Sequence, residues 1–324
     1  MFKNAKVIGS IVNPDVYHNQ QAARGAAEFF MSPSSLKQFG QCPERWKLGY
    51  NPPESDAKSY GSLLDCLVLT PELFESRYVL QPETYTNEKM EVKKWNNNAT
   101  KCKEWNERQV GKKVLSQHEL QQATTAKNRL MADEVIASFI NASDKQVLVE
   151  GEWHDEETGL VAKVRCLMDL VPRKDTEFYK SLGDLKSTRT AALIPFQRDV
   201  YKMGYHVQGA FDLDLFTTAT GEDRCNWVFC IQESYPPWQT GKRLLSEDYL
   251  EIGRAEYKRL LRLYCKCVKT GFWPGYDDNE IACQGWTLVS PEAWMASEDA
   301  FSFKYEFPES YERSTETPDA DLIP

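Results

Sequence analysis

Gly183-Asp184-Leu185-Lys186-Ser187-Thr188 is the stretch on which the reading of this chain turns. It closes an apolar run, Phe178 to Ser187, that reads as a β-strand, so Asp184 and Lys186, two residues apart, project from one face. The preceding segment, Leu160 to Val171, alternates as a strand as well. Lys163, Arg165, Leu167 and Asp169 fall on one side of it, and Ala162, Val164, Cys166 and Met168 on the other. If the two strands are neighbours, Asp169 meets Asp184. Two converging carboxylates suit Mg²⁺ or Mn²⁺, which take oxygen ligands. A lysine beside them can orient or help deprotonate an attacking water and stabilise a pentacovalent phosphate. Asp-x-Lys by itself more often marks a solvated strand face, so its surroundings decide.

Upstream, Gln146 to His154 forms a strand joined to Leu160–Val171 by an acidic turn containing Gly159. Downstream, Pro195 to Thr217 reads as one long helix with the apolar stripe Phe196, Val200, Met203, Val207 and Phe211. A polar stripe, Tyr201, Tyr205, Gln208 and Asp212, lies opposite and would cover the carboxylates. Trp227 to Gln232 is a further strand, and Ser246 caps a last helix that stops at Gly271. Toward the N-terminus, a helix runs from Ser32 or Ser34 to Leu48 with Pro33 in its first turn, and a small apolar helix spans Gly61 to Leu69. Glu88 to Ile140 is polar and helical in character, anchored by Trp95, Trp105, Val110, Leu115, Leu120 and Leu130. Central strands with helices around them define an α/β fold, a mixed sheet flanked by helices with helical N-terminal additions. The expected organisation is an N-terminal arm over 1–30, one domain over 31–290 with a helical insertion near 85–140, and an acidic, disordered tail over 306–324.

Composition limits the function classes. The formal charge of −9 argues against a general nucleic-acid coat protein, which needs clustered Lys and Arg, but leaves room for an enzyme with a local basic groove. No apolar run is long enough for a membrane span, and Met1 to Ser10 lacks the core of a signal peptide, which points to a cytoplasmic protein. The nine cysteines are scattered without a Cys-x-x-Cys, a poor disulfide or zinc framework. His18, His118, His154 and His206 show no metal-ligand spacing, and no phosphate loop of an ATP-driven motor is present.

Taken in order, several blocks resemble the RecE-type exodeoxyribonucleases (exodeoxyribonuclease VIII-like) of phages and prophages, within the PD-(D/E)xK nuclease superfamily. The blocks are Tyr17-His18, Ser32-Pro33-Ser34-Ser35-Leu36 to Cys42-Pro43, and Gly61-Ser62-Leu63-Leu64 to Pro71-Glu72. They continue with Gly159 through Lys163-Val164-Arg165 to Asp169, then Asp184-Leu185-Lys186-Ser187-Thr188, then Gly204-Tyr205-His206-Val207-Gln208-Gly209-Ala210. The resemblance implies that Asp169, Asp184 and the Leu185 backbone carbonyl bind Mg²⁺ (or Mn²⁺), that Lys186 is the catalytic lysine, and that Gln208 lies near the scissile phosphate. Asp65 stands where many relatives carry a metal-binding histidine, and Asp212 where they often carry tyrosine. Glu150 or Glu152 would supply a further carboxylate. Ser34, Ser35, Lys37, Arg165, Thr188 and Tyr205 are the expected DNA contacts, although helix capping explains the serines equally well. Some relatives hold an iron–sulfur cluster, which Cys42, Cys265, Cys267 and Cys283 imitate with the wrong spacing. The activity so implied is 5′-to-3′ resection of double-stranded DNA ends by a ring-shaped trimer or tetramer, with a single-strand annealing recombinase as partner. The alternatives are a structure-specific or nicking endonuclease on the same fold, or a degenerate nuclease-fold module that binds DNA or protein.

Overall fold

In the computed structural model of the chain, the described residues are 1–14, 17, 22–51, 53, 55–276, 282–283 and 286–287, the last four by backbone only. The chain divides into two units, Met1–Gly275 and Tyr276–Pro324. The first half of the larger unit contains β1 (Phe2–Gly9), α1 (Pro33–Gln41), α2 (Pro43–Lys47), α3 (Asp56–Leu69), α4 (Phe74–Arg77), β2 (Tyr78–Leu80), β3 (Thr84–Thr86), β4 (Val92–Lys94), α5 (Thr100–Glu107), β5 (Lys113–Leu115), α6 (Gln117–Met131) and α7 (Glu134–Asn141). Then come β6 (Ser143–His154), β7 (Val161–Pro172), β8 (Ser181–Thr188), α8 (Leu193–Lys202), α9 (Tyr205–Thr220), β9 (Asn226–Glu233), β10 (Thr240–Leu244) and α10 (Glu247–Thr270). The second unit shows two short antiparallel strands, β11 (Ala282–Cys283) and β12 (Trp286–Thr287); the acidic tail lies outside the described residues.

Six strands make one mixed sheet in the order β1-β6-β7-β8-β9-β10. Every neighbouring pair is antiparallel except β8 and β9, which run parallel. A parallel pair needs a crossover rather than a hairpin, and α8 with α9 supplies it. On one face of the sheet, Leu36 and Phe39 of α1, Val207 and Phe211 of α9, and Tyr257 and Leu261 of α10 close the main core. On the other, Leu64 of α3, Leu130 of α6, and Ile136 and Phe139 of α7 cover Leu170, Leu185 and Cys230. The result is the expected α/β fold, a central mixed sheet with helices on both faces.

Several local expectations change. Phe2–Gly9, expected within an arm, is the edge strand of the sheet, paired with β6. Phe2 earns this place by packing its ring 5.5 Å from Trp153, 5.0 Å from Phe211 and 5.3 Å from Tyr257. The helix expected over Ser32–Leu48 is two helices, because Pro43 forces the residue before it out of the helical region: Cys42 sits at φ −166°, ψ 103°. The 85–140 insertion is not purely helical. It includes the β3–β4 hairpin and the short parallel pair β2–β5. Val110 is 88% exposed rather than an anchor, whereas Leu115 and Leu130 are buried. All eight cysteines with described side chains are unpaired, and seven of them are buried. Among the described residues no helix is long and apolar enough to cross a membrane.

The most consequential change concerns the long helix. It breaks into α8 and α9 at Gly204, whose φ of +63° is left-handed. Phe196, Val200, Val207 and Phe211 remain buried, but Met203 is exposed at the break. The expected polar stripe is also cut: Tyr201, on α8, is 69% exposed, while Tyr205, Gln208 and Asp212 stay together on α9. A Cβ at position 204 would lie 2.7 Å from the Lys37 Cδ atom and be forced into the left-handed region. We expect Gly204→Ala to lower the stability of the folded chain by about 1–2 kcal/mol, read as a lower urea midpoint with an unchanged slope. An unaltered midpoint would mean that the helix break is not held at this glycine.

Candidate active site

Strands β7 and β8 are joined at a single register position, Leu170 opposite Gly183. Beyond it they part, which would leave the Leu185 amide without a ladder partner. Asp169 fills the gap: its Oδ2 accepts the Leu185 N–H at 3.0 Å, and its Oδ1 accepts Nε2 of Gln146 at 2.9 Å. Gln146 stands across from Asp169 on β6 in a left-handed conformation, φ +50°. The pleat slips at this level, so that Met168 and Val171 both enter the main core while Leu170 enters the opposite one. A non-glycine residue held so costs of order 1 kcal/mol and persists only where its surroundings demand it.

On β8, alternation sends Leu182 into the main core and Leu185 into the other, and Asp184 and Lys186 share the Leu182 face. The Lys186 ammonium lies 2.5 Å from Asp184 Oδ2, and Gln208 Nε2 donates to Asp184 Oδ1 at 3.0 Å. Lys186 also stands 5.0 Å from the Tyr205 ring centroid, and Lys37 approaches the same ring at 5.6 Å. Tyr205 and Gln208 belong to the first turn of α9, which begins where it does because of the Gly204 break.

The third wall is α3. It runs so close to β8 that a Cβ on Gly61 would meet Ser187 Oγ at 2.9 Å. Lys58, Ser62 and Asp65, at steps of 4 and 3, therefore line the cleft along one helix face. Arg77 enters from the end of α4. The cleft has a volume of about 660 Å³ and includes Asp65, Asp169, Asp184, Lys186, Gln208 and Asp212.

The electrostatics of this cleft are dominated by carboxylates taken out of water. Burial, reinforced by the Asp184 charge, pushes the Asp169 carboxyl up to about 7. Burial and then Asp169 raise the Asp65 carboxyl well above the usual carboxylate range. Burial alone would lower the Lys186 ammonium, but Asp184 and Asp169 outweigh it and raise it. Lys37 goes the other way, lowered to about 8 by burial and by the neighbouring Lys186 charge. Negative charge with too little counter-charge is the setting that a divalent cation suits. The donors fit a hard cation: Asp169, Asp184 and the Leu185 carbonyl, with Asp65 opposite. Among the described residues no three His, Cys, Asp or Glu side chains already converge as a ligand set. Lys186 stands against Asp184 Oδ2, and both oxygens of Asp169 are engaged.

Sequence reasoning brought Asp65, Asp169, Asp184, Lys186, Tyr205, Gln208 and Asp212 to one place. Ser34 also lines the cleft. Ser35 instead accepts a hydrogen bond from Trp46 Nε1 at 2.9 Å. Arg165 is buried, donates to the Tyr17 carbonyl, and lies over the Tyr17 and Phe30 rings. Thr188 Oγ1 donates to the Thr190 carbonyl at 3.3 Å, within the turn after β8. Neither Glu150 nor Glu152 lines the cleft; Glu152 accepts from Asn4 and meets His154. The β6 residue that reaches the site is Gln146, which the sequence did not flag because its direction depends on a local slip of the pleat. Lys58, Ser62 and Arg77 were missed as well, although the 58-62-65 spacing was readable once α3 is known to begin at Asp56.

This fold and cleft are those of the PD-(D/E)xK nuclease superfamily. More particularly, the chain belongs to the family described as the PDDEXK-like domain of unknown function (DUF3799), whose model matches residues 32–284. Among solved structures, it is similar to a "putative exonuclease" from Eubacterium rectale, with a TM-score of 0.54 and 19% identity over 89% of this chain and 98% of that one. No curated protein matches the chain in sequence.

The raised Asp169 carboxyl has a consequence for stability. The folded chain keeps a proton there between pH 3.8 and about 7 that the unfolded chain releases, so this group favours folding at low pH and the contribution is lost as pH rises through 7. We expect Asp169→Asn to be more stable than the wild type at pH 8 in EDTA by roughly 1–3 kcal/mol, with little difference at pH 4. The Gln146 Oε1 atom, buried without a hydrogen bond, can accept from the new amide after a flip. Urea titrations at the two pH values measure the difference; equal stabilities at pH 8 would remove the burial argument.

Proposed function

We propose that this protein is a metal-dependent exodeoxyribonuclease that resects the ends of double-stranded DNA. The observation that carries the reading is the convergence of Asp169, Asp184, Lys186 and Gln208 where β7 and β8 part. Asp169, Asp184 and the Leu185 carbonyl would hold Mg²⁺ or Mn²⁺, with Asp65 adding an oxygen in place of the histidine of its relatives. The metal supplies a lower pKa for bound water and charge neutralisation at the phosphate. Lys186 carries its positive charge beside Asp184 at every working pH, so its part is to hold the attacking water and the developing phosphate charge. Gln208 fixes Asp184 and stands next to the same phosphate. Lys58 and Arg77, with Lys37 near Tyr205, place positive charge around an otherwise acidic cleft, which is what a phosphate backbone needs locally.

A chain of net charge −9 holds duplex DNA weakly at physiological salt, yet processive digestion forbids release after each cut. A ring of three or four subunits solves this topologically, and a single-strand annealing recombinase would take up the exposed strand. Resemblance to RecE-type enzymes supports both steps and a 5′-to-3′ direction.

With Mg²⁺, linear duplex should be degraded while covalently closed circles survive, and light scattering should give a trimer or tetramer. A monomer that nicks closed circles would replace this reading with an endonuclease. Asp169→Ala, Asp184→Ala and Lys186→Ala should each reduce cleavage by about 10³-fold or more while the circular dichroism spectrum stays that of the folded chain. Near-normal cleavage by any of the three would move the site elsewhere. Asp65→His should retain part of the activity and change the ratio of Mg²⁺- to Mn²⁺-supported rates, because imidazole and carboxylate rank these ions differently. An unchanged ratio would take Asp65 out of the metal's surroundings.

A further inference from the structure

Asp212 lies one turn beyond Gln208 on α9 and lines the same cleft as Asp184, yet it is 1% exposed. Neither of its carboxylate oxygens has a hydrogen-bond partner, and among the described residues no cation forms an ion pair with it. Its polar neighbour is the Cys166 thiol, a weak donor that burial and the Asp212 charge leave protonated. A carboxylate withdrawn from water without a partner is costly, and a natural chain keeps one where something else satisfies it. Asp184 Oδ2 is in a related position: it meets Lys186 but makes no hydrogen bond of proper geometry. Two under-satisfied carboxylates thus face one cavity from β8 and α9. Lys37 and Lys186 are near enough for their charges to be felt at Asp212, but neither pairs with it.

We propose that Asp184 and Asp212 together hold a second divalent cation, with Asp184 shared between it and the ion bound by Asp169 and the Leu185 carbonyl. This rests on the nuclease reading and extends it. Two carboxylates are enough protein ligands for Mg²⁺ or Mn²⁺, because water and phosphate oxygens complete the shell, and an ion held by only two protein groups leaves no preformed three-residue cluster. A pair of ions sharing one carboxylate clamps both the attacking and the leaving oxygen of a phosphodiester. The site is built by α9: the Gly204 break sets where the helix starts, and steps of 4 carry first Gln208 and then Asp212 to Asp184.

Calorimetric titration of the full chain with Mn²⁺, without DNA, counts the ions, and electron paramagnetic resonance of the loaded protein reports whether two of them are close enough to couple. The wild type should take up two equivalents and give a coupled-pair spectrum. Asp212→Asn, which keeps the shape of the side chain, should take up one and give an uncoupled spectrum, or bind the second at least tenfold more weakly. Asp212→Glu should keep two. One equivalent in both wild type and Asp212→Asn, or two in both, overturns the second site while leaving the nuclease reading intact. No uptake by the wild type overturns both. If Asp212→Asn fails to fold, the wild-type spectrum decides alone: a coupled pair supports the proposal, and isolated ions overturn it.

Discussion

The hydrogen bond from the Leu185 amide to the Asp169 carboxylate is the contact on which the site depends. Antiparallel strands that separate leave backbone donors unpaired, and a buried unpaired N–H is costly. Here an aspartate side chain stands in for the missing strand. The sheet can therefore open between β7 and β8 without losing the hydrogen bond, and the group that closes the ledger at Leu185 is also a metal-type oxygen donor. Gln146 holds the second oxygen from the far side, at the cost of a left-handed backbone. Structural repair and chemistry share one carboxylate.

That sharing explains why the cleft is electrostatically strained. Asp65, Asp169, Asp184 and Asp212 come from four elements that pack for apolar reasons, through Leu64, Leu170, Leu185 and Phe211, and packing leaves them little water. Lys186 offsets part of the charge, and the raised carboxyls of Asp65 and Asp169 record the remainder. The apolar cores on the two faces of the sheet must supply the free energy that keeps these groups together. A cation entering the cleft would relieve that strain, so folding and metal binding would be coupled through the same oxygens.

The acidic character of the whole chain and the basic character of the cleft rim are compatible because screening confines each to its neighbourhood. Lys37, Lys58 and Arg77 sit on three different helices around one opening, so no run of basic residues appears in the chain. A phosphate at the cleft meets these cations at short range, whereas DNA elsewhere meets the acidic surface.

The pattern within Gly183–Thr188 and the alternation of Leu160–Val171 were enough to place Asp184 beside Lys186 and to bring Asp169 near, because a strand's two-residue period fixes side-chain direction locally. The final helix, from its Ser246 cap to Gly271, was equally readable, since both ends are set by residues next to them in the chain. Phe2–Gly9 carried no such signal, and pairing across about 150 residues with β6 makes it a strand. Gln146 was invisible because its direction follows from a pleat slip imposed by the strand opposite. Tyr201 was misplaced because a helical period was carried through Gly204, where the backbone turns left-handed and resets the phase. The sequence by itself determined which residues share a strand face and where capped helices stop, as these depend on near neighbours. Only the tertiary structure decided where two strands part, which donors are left unpaired there, and which carboxylates burial brings to the gap, because those depend on contacts between segments far apart in the chain.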